Sequence, residues 1–396
     1  MQQNKKAIGN RQRVKFSIVL LLIFHFSFFI FHLAKAQDSS HIRISLLTCA
    51  PGDELYSTFG HSAIRVVDSS SVTDIVYNYG TFNFDDKNFY LKFIRGKLLY
   101  YVSIENFEDF KYDYQTANRG IIEQVLNFSA DEKIKIEEGL INNLKEENKY
   151  YKYDFFFDNC TTRLRDIIEN NKYPHPIFKY VMPAGSTFRN AIYQYLDEGD
   201  ESWSKLGIDL FLGVKTDAVM TARQSQFLPD NLMKSLDSVN NDHLVMSKSN
   251  LFPVNENKNS SSFFSPFFLF TSVLIIIILL SFYKNNFVQK FLQGFDGIFF
   301  FLTGLLGIIM ILMWTATDHV LCRDNFNLLW AWPTHSIIAF FIASKKNWVK
   351  KYHLFTVIAL SILLLIWNFL PQQLNSSLIL IVLLLIFRSA SNYQKK

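Results

Sequence analysis

Hydrophobic and polar positions alternate in three different rhythms along this chain, and each predicts a different kind of structure. Between residues 37 and 246, five short runs are apolar or β-branched: Ile42 to Leu47, Ala63 to Val67, Ile75 to Tyr79, Leu98 to Ile104 and Ile121 to Leu126. Such runs, bounded by Gly, Asp or Ser, read as strands. Helical spacing appears in Ile134, Ile136, Leu140, Ile141 and Leu144, which follow Ser129, a candidate N-cap with Glu132 three residues on. A second helix begins at Asn159 or Cys160, with Leu164, Ile167 and Ile168 on its buried face. The class predicted for residues 37–246 is therefore α+β. Residues 247–262 are rich in Asn, Ser and Lys and read as a linker.

The two ends carry long apolar runs instead. Lys5, Lys6, Arg11, Arg13 and Lys15 precede an apolar stretch from Phe16 to Leu33, which is followed by Ala34-Lys35-Ala36. That order predicts a signal peptide over residues 1–36, cleaved after Ala36, with an uncleaved anchor as the alternative. Residues 263–396 hold five apolar runs, near 263–283, 297–314, 328–344, 353–370 and 376–387, each approaching the ~20 residues that cross a ~30 Å hydrocarbon core. With the middle segment outside, the connections alternate. The inward ones hold nine Lys or Arg, Arg388 among them, and the outward ones hold only Arg323. This positive-inside bias predicts a five-span bundle with residues 37–246 exported.

Composition sharpens the partition. Only 19% of residues are charged, against about 25% in an ordinary soluble domain, and 40 are Phe. The net charge of +5 sums unlike parts: residues 1–36 carry six basic residues and no acidic one, 37–262 carry 24 basic against 32 acidic, and 263–396 carry ten against three. Basic charge thus sits beside membrane runs, while the exported part is acidic, which excludes a nucleic-acid surface there. With no internal repeat, Gly-rich phosphate loop or Cys-x-x-Cys pair, no cofactor and no metal is expected.

Candidate chemistry centres on cysteine. Cys49, Cys160 and Cys322 all fall on the exported side, so at least one thiol stays free. Cys160 stands at the predicted helix start in Phe155-Phe156-Phe157-Asp158-Asn159-Cys160-Thr161-Thr162-Arg163. There, unsatisfied N–H groups and the helix dipole favour thiolate over thiol and can hold an oxyanion. A buried structural cysteine is the competing reading. His61, in Gly60-His61-Ser62-Ala63-Ile64-Arg65, heads a predicted strand and can accept a thiol proton and return it to a leaving group. A third group usually orients the imidazole; Asn78 and Tyr79 on the next strand are candidates, and Asn159 is a candidate for orienting or oxyanion support.

The segments Leu46 to Tyr56, Phe59 to Val66, Tyr79 to Phe82, Asp158 to Arg163 and Pro183 to Arg189 together resemble the Lnb lipoprotein N-acyltransferase family. The His-before-Cys order is similar to that of circularly permuted NlpC/P60 (papain-like) domains. In the apolar half, Thr317-Asp318-His319, Asn325 to Trp330, Pro333-Thr334-His335 and Pro371 to Asn375 look like the family's multi-span module. Cys322 departs from the pattern; its pairing with Cys49, and a nucleophilic Cys49 beside His61, stay open.

The resemblance implies a permuted papain-like periplasmic domain followed by an inner-membrane, multi-pass bundle. It implies acyl transfer from a phospholipid, through a Cys160 thioester, to the N-terminal amine of a diacylglyceryl-cysteine lipoprotein. Arg163, His319 and His335 become candidates for substrate contact, with structural pairing or packing as the alternative for each. Two other classes are an exported cysteine peptidase or amidase acting on cell-wall peptide, and a non-enzymatic envelope receptor or scaffold in which Cys160 is structural.

Overall fold

The computed structural model describes residues 40–239, 244–253 and 264–394; the predicted signal peptide lies outside them. Strands β1 (Ile42–Cys49), β2 (His61–Asp68), β3 (Thr73–Thr81), β4 (Leu99–Asn106), β5 (Ile121–Leu126), β6 (Tyr150–Lys152) and β7 (Val245–Phe252) form one antiparallel sheet in the order β6-β4-β3-β2-β1-β5-β7. Its five central strands are those the alternation predicts. Successive side chains point to opposite faces. Leu46, Ile64, Tyr77 and Tyr79 join a core with helices α3 (Ala130–Asn143) and α4 (Cys160–Asn171), while Leu47, Ala63 and Val76 pack against Phe107 and Phe110 of helix α2 (Phe107–Thr116). A short helix α1 (Phe89–Ile94) lies in the β3–β4 connection. Ser129 caps α3 as predicted, its hydroxyl accepting from the Glu132 N–H and the Glu132 carboxylate accepting from its own N–H.

The linker expected from residue 247 does not begin there, because residues 247–252 belong to β7, which pairs with β5. β7 is an edge strand with five consecutive exposed residues from Met246 to Asn250, so it lacks the apolar alternation that reveals a central strand. Beyond the sheet, helices α5 (Phe188–Glu198), α6 (Ser202–Phe211) and α7 (Pro229–Asp237) gather Phe156, Phe188, Ile192 and Phe227 into a second cluster beside the start of α4.

The C-terminal region is helical: α8 (Pro266–Ser281), α9 (Asn286–Thr315), α10 (Thr334–Ile338), α11 (Asn347–Ile366) and α12 (Leu378–Tyr393). Two of its apolar helices, Asn286–Thr315 and Asn347–Phe369, are long enough to cross a membrane, and α8 and α12 are shorter. The run expected to span at 328–344 is not one helix. It breaks into a 3-10 turn at Phe326–Leu329, the five residues of α10 and another 3-10 turn at Ala339–Phe341. Pro333 explains the break, since it lacks an N–H and disfavours helical geometry at Trp332. The broken segment instead lies against α9: a Cβ on Gly304 would sit 2.1 Å from the Ser336 nitrogen, and one on Gly307 would sit 1.9 Å from the Ala331 oxygen. Only glycine allows that approach. Arg388, counted above with the inward charges, is buried and holds Asp296 through bonds of 2.6 and 2.9 Å, tying α12 to α9.

A polar junction joins the two halves. Arg189 of α5 bonds Asp209 of α6 at 2.7 Å and Asp217 at 2.8 Å, and Asp209 also meets the C-terminal connections. Asn375 reaches the Asp209 carboxylate at 2.9 Å, Asn327 its carbonyl at 2.9 Å and Gln372 the Leu212 carbonyl at 2.9 Å. Thus the two connections expected to face outward, 315–327 and 371–375, both contact the N-terminal domain.

Candidate active site

The site is built where β2, β3 and the first turn of α4 meet. Gly60, at φ +74°, turns the chain into β2; a Cβ there would fall 2.7 Å from the Cys49 carbonyl oxygen, so the Gly before His61 is sterically required. On β3, Gly80 adopts φ +90° at a register shift between Asn78 and Thr81. A Cβ on it would lie 3.6 Å from that of Cys160, so this bare stretch of strand is what the cysteine rests against. The Ser62 and Thr161 hydroxyls, 3.1 Å apart and buried, pin the helix start to the strand that carries His61.

Cys160 and His61 lie close enough for each to shift the other's ionisation. His61 Nε2 lies 3.1 Å from Asn78 Oδ1, and Asn78 Nδ2 donates to the Glu105 carboxylate of β4. This chain fixes the proton positions. A carboxylate can only accept, so the Asn78 amide must turn its NH2 to Glu105 and its oxygen to the histidine. Nε2 therefore carries a proton, and Nδ1 is the ring nitrogen left for the sulfur.

Electrostatics follow from this geometry. Burial pushes the Cys160 thiol up, but the His61 charge and hydrogen bond, the Ser62 N–H and the Thr161 hydroxyl outweigh it and bring the thiol down to about 7. Burial likewise lowers the imidazole pKa. The Cys160 charge and the hydrogen bonds from Cys160 and Asn78 overcome that, and His61 ends raised. Both shifts favour a thiolate–imidazolium pair at the N-terminus of a twelve-residue helix.

The other candidates take different places. Tyr79 is buried, and its hydroxyl accepts from Asn143 at 2.7 Å rather than orienting His61. Asn159 is the N-cap of α4: its oxygen accepts from the Thr162 N–H, and its NH2 donates to the Phe155 and Phe227 carbonyls, all at 2.8 Å. That leaves it no donor for an oxyanion. Arg163 is held by Asp158 at 2.7 and 2.9 Å and lies over the Tyr151 ring, which makes it a structural pair. His335 is fully buried between Tyr352, at 2.8 Å, and the Trp330 carbonyl, at 3.2 Å, and stacks on Trp332; it packs the bundle rather than facing a headgroup. His319 bonds the Phe93 carbonyl at 3.2 Å and so docks the loop after α9 on the N-terminal domain.

All three cysteines are free, which answers the Cys49–Cys322 question against a disulfide. Cys49 is also no rival nucleophile, since burial pushes its thiol up to about 12, only partly offset by a hydrogen bond with Tyr114 and the charge of Arg119. Glu105 was not legible as a site residue, because the predicted strand ends at Ile104 and nothing local reveals that β4 lies beside β3. Its register does: Val76 faces Glu105 and Asn78 faces Ser103.

The Lnb N-terminal periplasmic domain family matches residues 32–187, and the Lnb transmembrane domain family matches residues 258–396. No curated protein and no solved structure matches the chain.

Proposed function

This chain belongs to the Lnb family, with a periplasmic and a transmembrane domain, and on that premise we propose that it is a lipoprotein N-acyltransferase working through a Cys160 thioester. Its domain is read as a permuted NlpC/P60-type fold in which the cysteine opens a helix and the histidine lies on the sheet. The bundle is read as a multi-pass module of the inner membrane. The observation that supports the reaction is Cys160 at the start of α4 beside His61, whose Nε2 is held by Asn78 and, behind it, Glu105.

The reaction proceeds in two halves. The Cys160 thiolate attacks an acyl ester carbonyl of a phospholipid, and the developing oxyanion is met by the backbone N–H groups of Cys160 and Thr161, which the Asn159 cap does not occupy. As the ester C–O bond breaks, the His61 imidazolium gives its Nδ1 proton to the leaving lysophospholipid alcohol, and the acyl chain stays on sulfur. The α-amine of a diacylglyceryl-cysteine lipoprotein then attacks the thioester, and His61 takes the amine proton. Collapse expels the Cys160 thiolate and leaves an amide. No cofactor enters this balance. Both substrates are membrane lipids, which gives the apolar half its purpose: a domain joined to the bundle through Arg189, Asp209 and Asn375 meets them at the interface without extracting them.

Incubation of the purified full chain with phospholipid and intact-mass analysis tests the proposal. An adduct of one acyl chain on Cys160, discharged by a diacylated lipopeptide, is expected. Lipopeptide acylation without any adduct rejects the covalent route. Cleavage of cell-wall peptide in place of acylation supports the peptidase reading, and full cellular function of Cys160→Ala supports the scaffold reading.

A further inference from the structure

The β3–β4 connection has a composition unlike the rest of its domain. In an N-terminal region with more acidic than basic residues, Lys87 to Lys97 holds four basic residues, Lys87, Lys92, Arg95 and Lys97, and no acidic one. Interleaved with them on α1, Tyr90, Leu91, Phe93 and Ile94 each leave more than half of the side chain exposed, from 51% to 74%. Four large apolar side chains turned out of one short helix among cations are the composition of an element that lies in a lipid interface.

Its position in the fold matches. The turn after α1 is docked on the loop that follows α9, one of the two helices long and apolar enough to cross a membrane. The Asp318 N–H donates to the Arg95 carbonyl at 2.9 Å, His319 bonds the Phe93 carbonyl, and Lys152 meets Asp318 at 3.1 Å. Gly96, at φ +65°, lets the two loops meet: a Cβ there would be 3.3 Å from both the Asp318 Cβ and the His319 ring. These contacts fall four and five residues past Trp314, which lies in the last turn of a thirty-residue helix. At 1.5 Å per residue that helix is about 45 Å long, which brings its end to the level of the lipid headgroups.

An aromatic path leads inward from the same helix. Phe89 of α1 lies 5.8 Å from Phe82, Phe82 lies 5.4 Å from Tyr100, and Tyr100 stacks on Tyr153 at 4.4 Å. The Tyr153 ring is 3.7 Å from the Cβ position of Gly80, which is also the point that touches Cys160. Phe89 and Tyr100 are buried, with Phe82 and Tyr153 packed against the same core, so the rings form a contiguous apolar row from α1 to the sulfur.

We propose that residues 87–97 form an interfacial element that inserts Tyr90, Leu91, Phe93 and Ile94 into the outer leaflet and passes the acyl chain of a bilayer phospholipid along Phe82, Tyr100 and Tyr153 toward Cys160. The surface stands independently of the reaction, whereas the end of the path rests on the acyl-transfer reading.

Photo-crosslinking tests the surface without any need for turnover. The full chain carrying p-benzoylphenylalanine at position 93 is placed in liposomes of phosphatidylethanolamine and phosphatidylglycerol and compared with the same probe at position 72. Val72 is 91% exposed in the β2–β3 turn, at the strand ends opposite to His61 and Gly80. Lipid adducts at 93 should exceed those at 72 by more than about tenfold, and equal yields overturn the proposal. In the combined variant Leu91→Ser, Phe93→Ser, Ile94→Ser, the Cys160 acyl adduct from bilayer phospholipid should form about tenfold more slowly, with thermal unfolding unchanged as the control for folding. An unchanged rate overturns the path. Lipid adducts at position 93 in a protein that never acylates Cys160 uphold the surface and defeat the acyl-transfer reading; acylation without lipid adducts does the reverse.

Discussion

Cys160 and Cys49 both lie deep in the same domain, near one histidine, and their thiols are driven in opposite directions. Cys49 pairs directly with His61 across β1 and β2, yet its thiol is pushed up to about 12, whereas Cys160 is brought down to about 7. Burial raises both, so burial does not make the difference. Cys160 has the His61 charge close by, a helix start behind it and the Ser62 N–H beside it. Cys49 has the neutral hydroxyl of Tyr114, itself raised well above its ordinary value by burial. Proximity to a histidine is therefore not enough. A thiol becomes a nucleophile when the surrounding dipoles and the partner's proton favour its charge.

The largest blow to this contrast comes from Cys160→Ser. Acyl transfer to a lipopeptide should fall by at least about 10³-fold, since a serine hydroxyl at this place has no thiolate to offer. An enzyme that keeps a tenth of its rate would show that the two cysteines do not differ in the way described. Next comes His61→Ala. It should slow acyl transfer by about 10²–10⁴-fold and move the alkylation midpoint of Cys160 upward from about 7, because only the Ser62 N–H and the Thr161 hydroxyl then oppose burial. Iodoacetamide kinetics across pH read the midpoint, and lipopeptide acylation reads the rate. The sign for stability is the same: a depressed thiol pKa contributes fully above 9.0 and is lost as pH falls through about 7.

A smaller effect should follow Glu105→Gln. Glutamine can donate as well as accept, so the Asn78 amide is no longer forced to face His61 with its oxygen, and kcat should drop by about tenfold with KM unchanged. A purely structural Glu105 would alter stability and leave the pH profile of kcat in place. The smallest is Cys49→Ala, expected to keep kcat within about threefold of the parent, since a neutral thiol contributes packing alone. A loss comparable to that of Cys160→Ser would reverse the assignment of the two sulfurs.

Much of this arrangement was legible in the chain before folding. The alternation of Ile42 to Leu47 and its fellows marks the central strands, Ser129 with Glu132 marks a helix start, and Cys160 after Asn159 marks another. These are local signals, each the work of a few neighbouring residues. The edge strand β7 was not legible because it is paired on one side only and stays polar. The third apolar run misleads for a related reason, since hydropathy counts side chains and is blind to the N–H that Pro333 lacks.

Local pattern by itself determined the apolar helices at the end, the strand heads and caps, and the choice of Cys160 and His61 as chemical candidates. Only tertiary structure decided which groups serve each other. It set Asn78 and not Tyr79 against the imidazole, put Glu105 behind it, spent Asn159 and Arg163 on holding α4, and buried His335 among aromatic rings. The reason is physical. A cap or a strand is fixed by residues a few positions apart, whereas the state of a buried thiol depends on charges and donors that only the packing of distant strands and helices brings within hydrogen-bond reach.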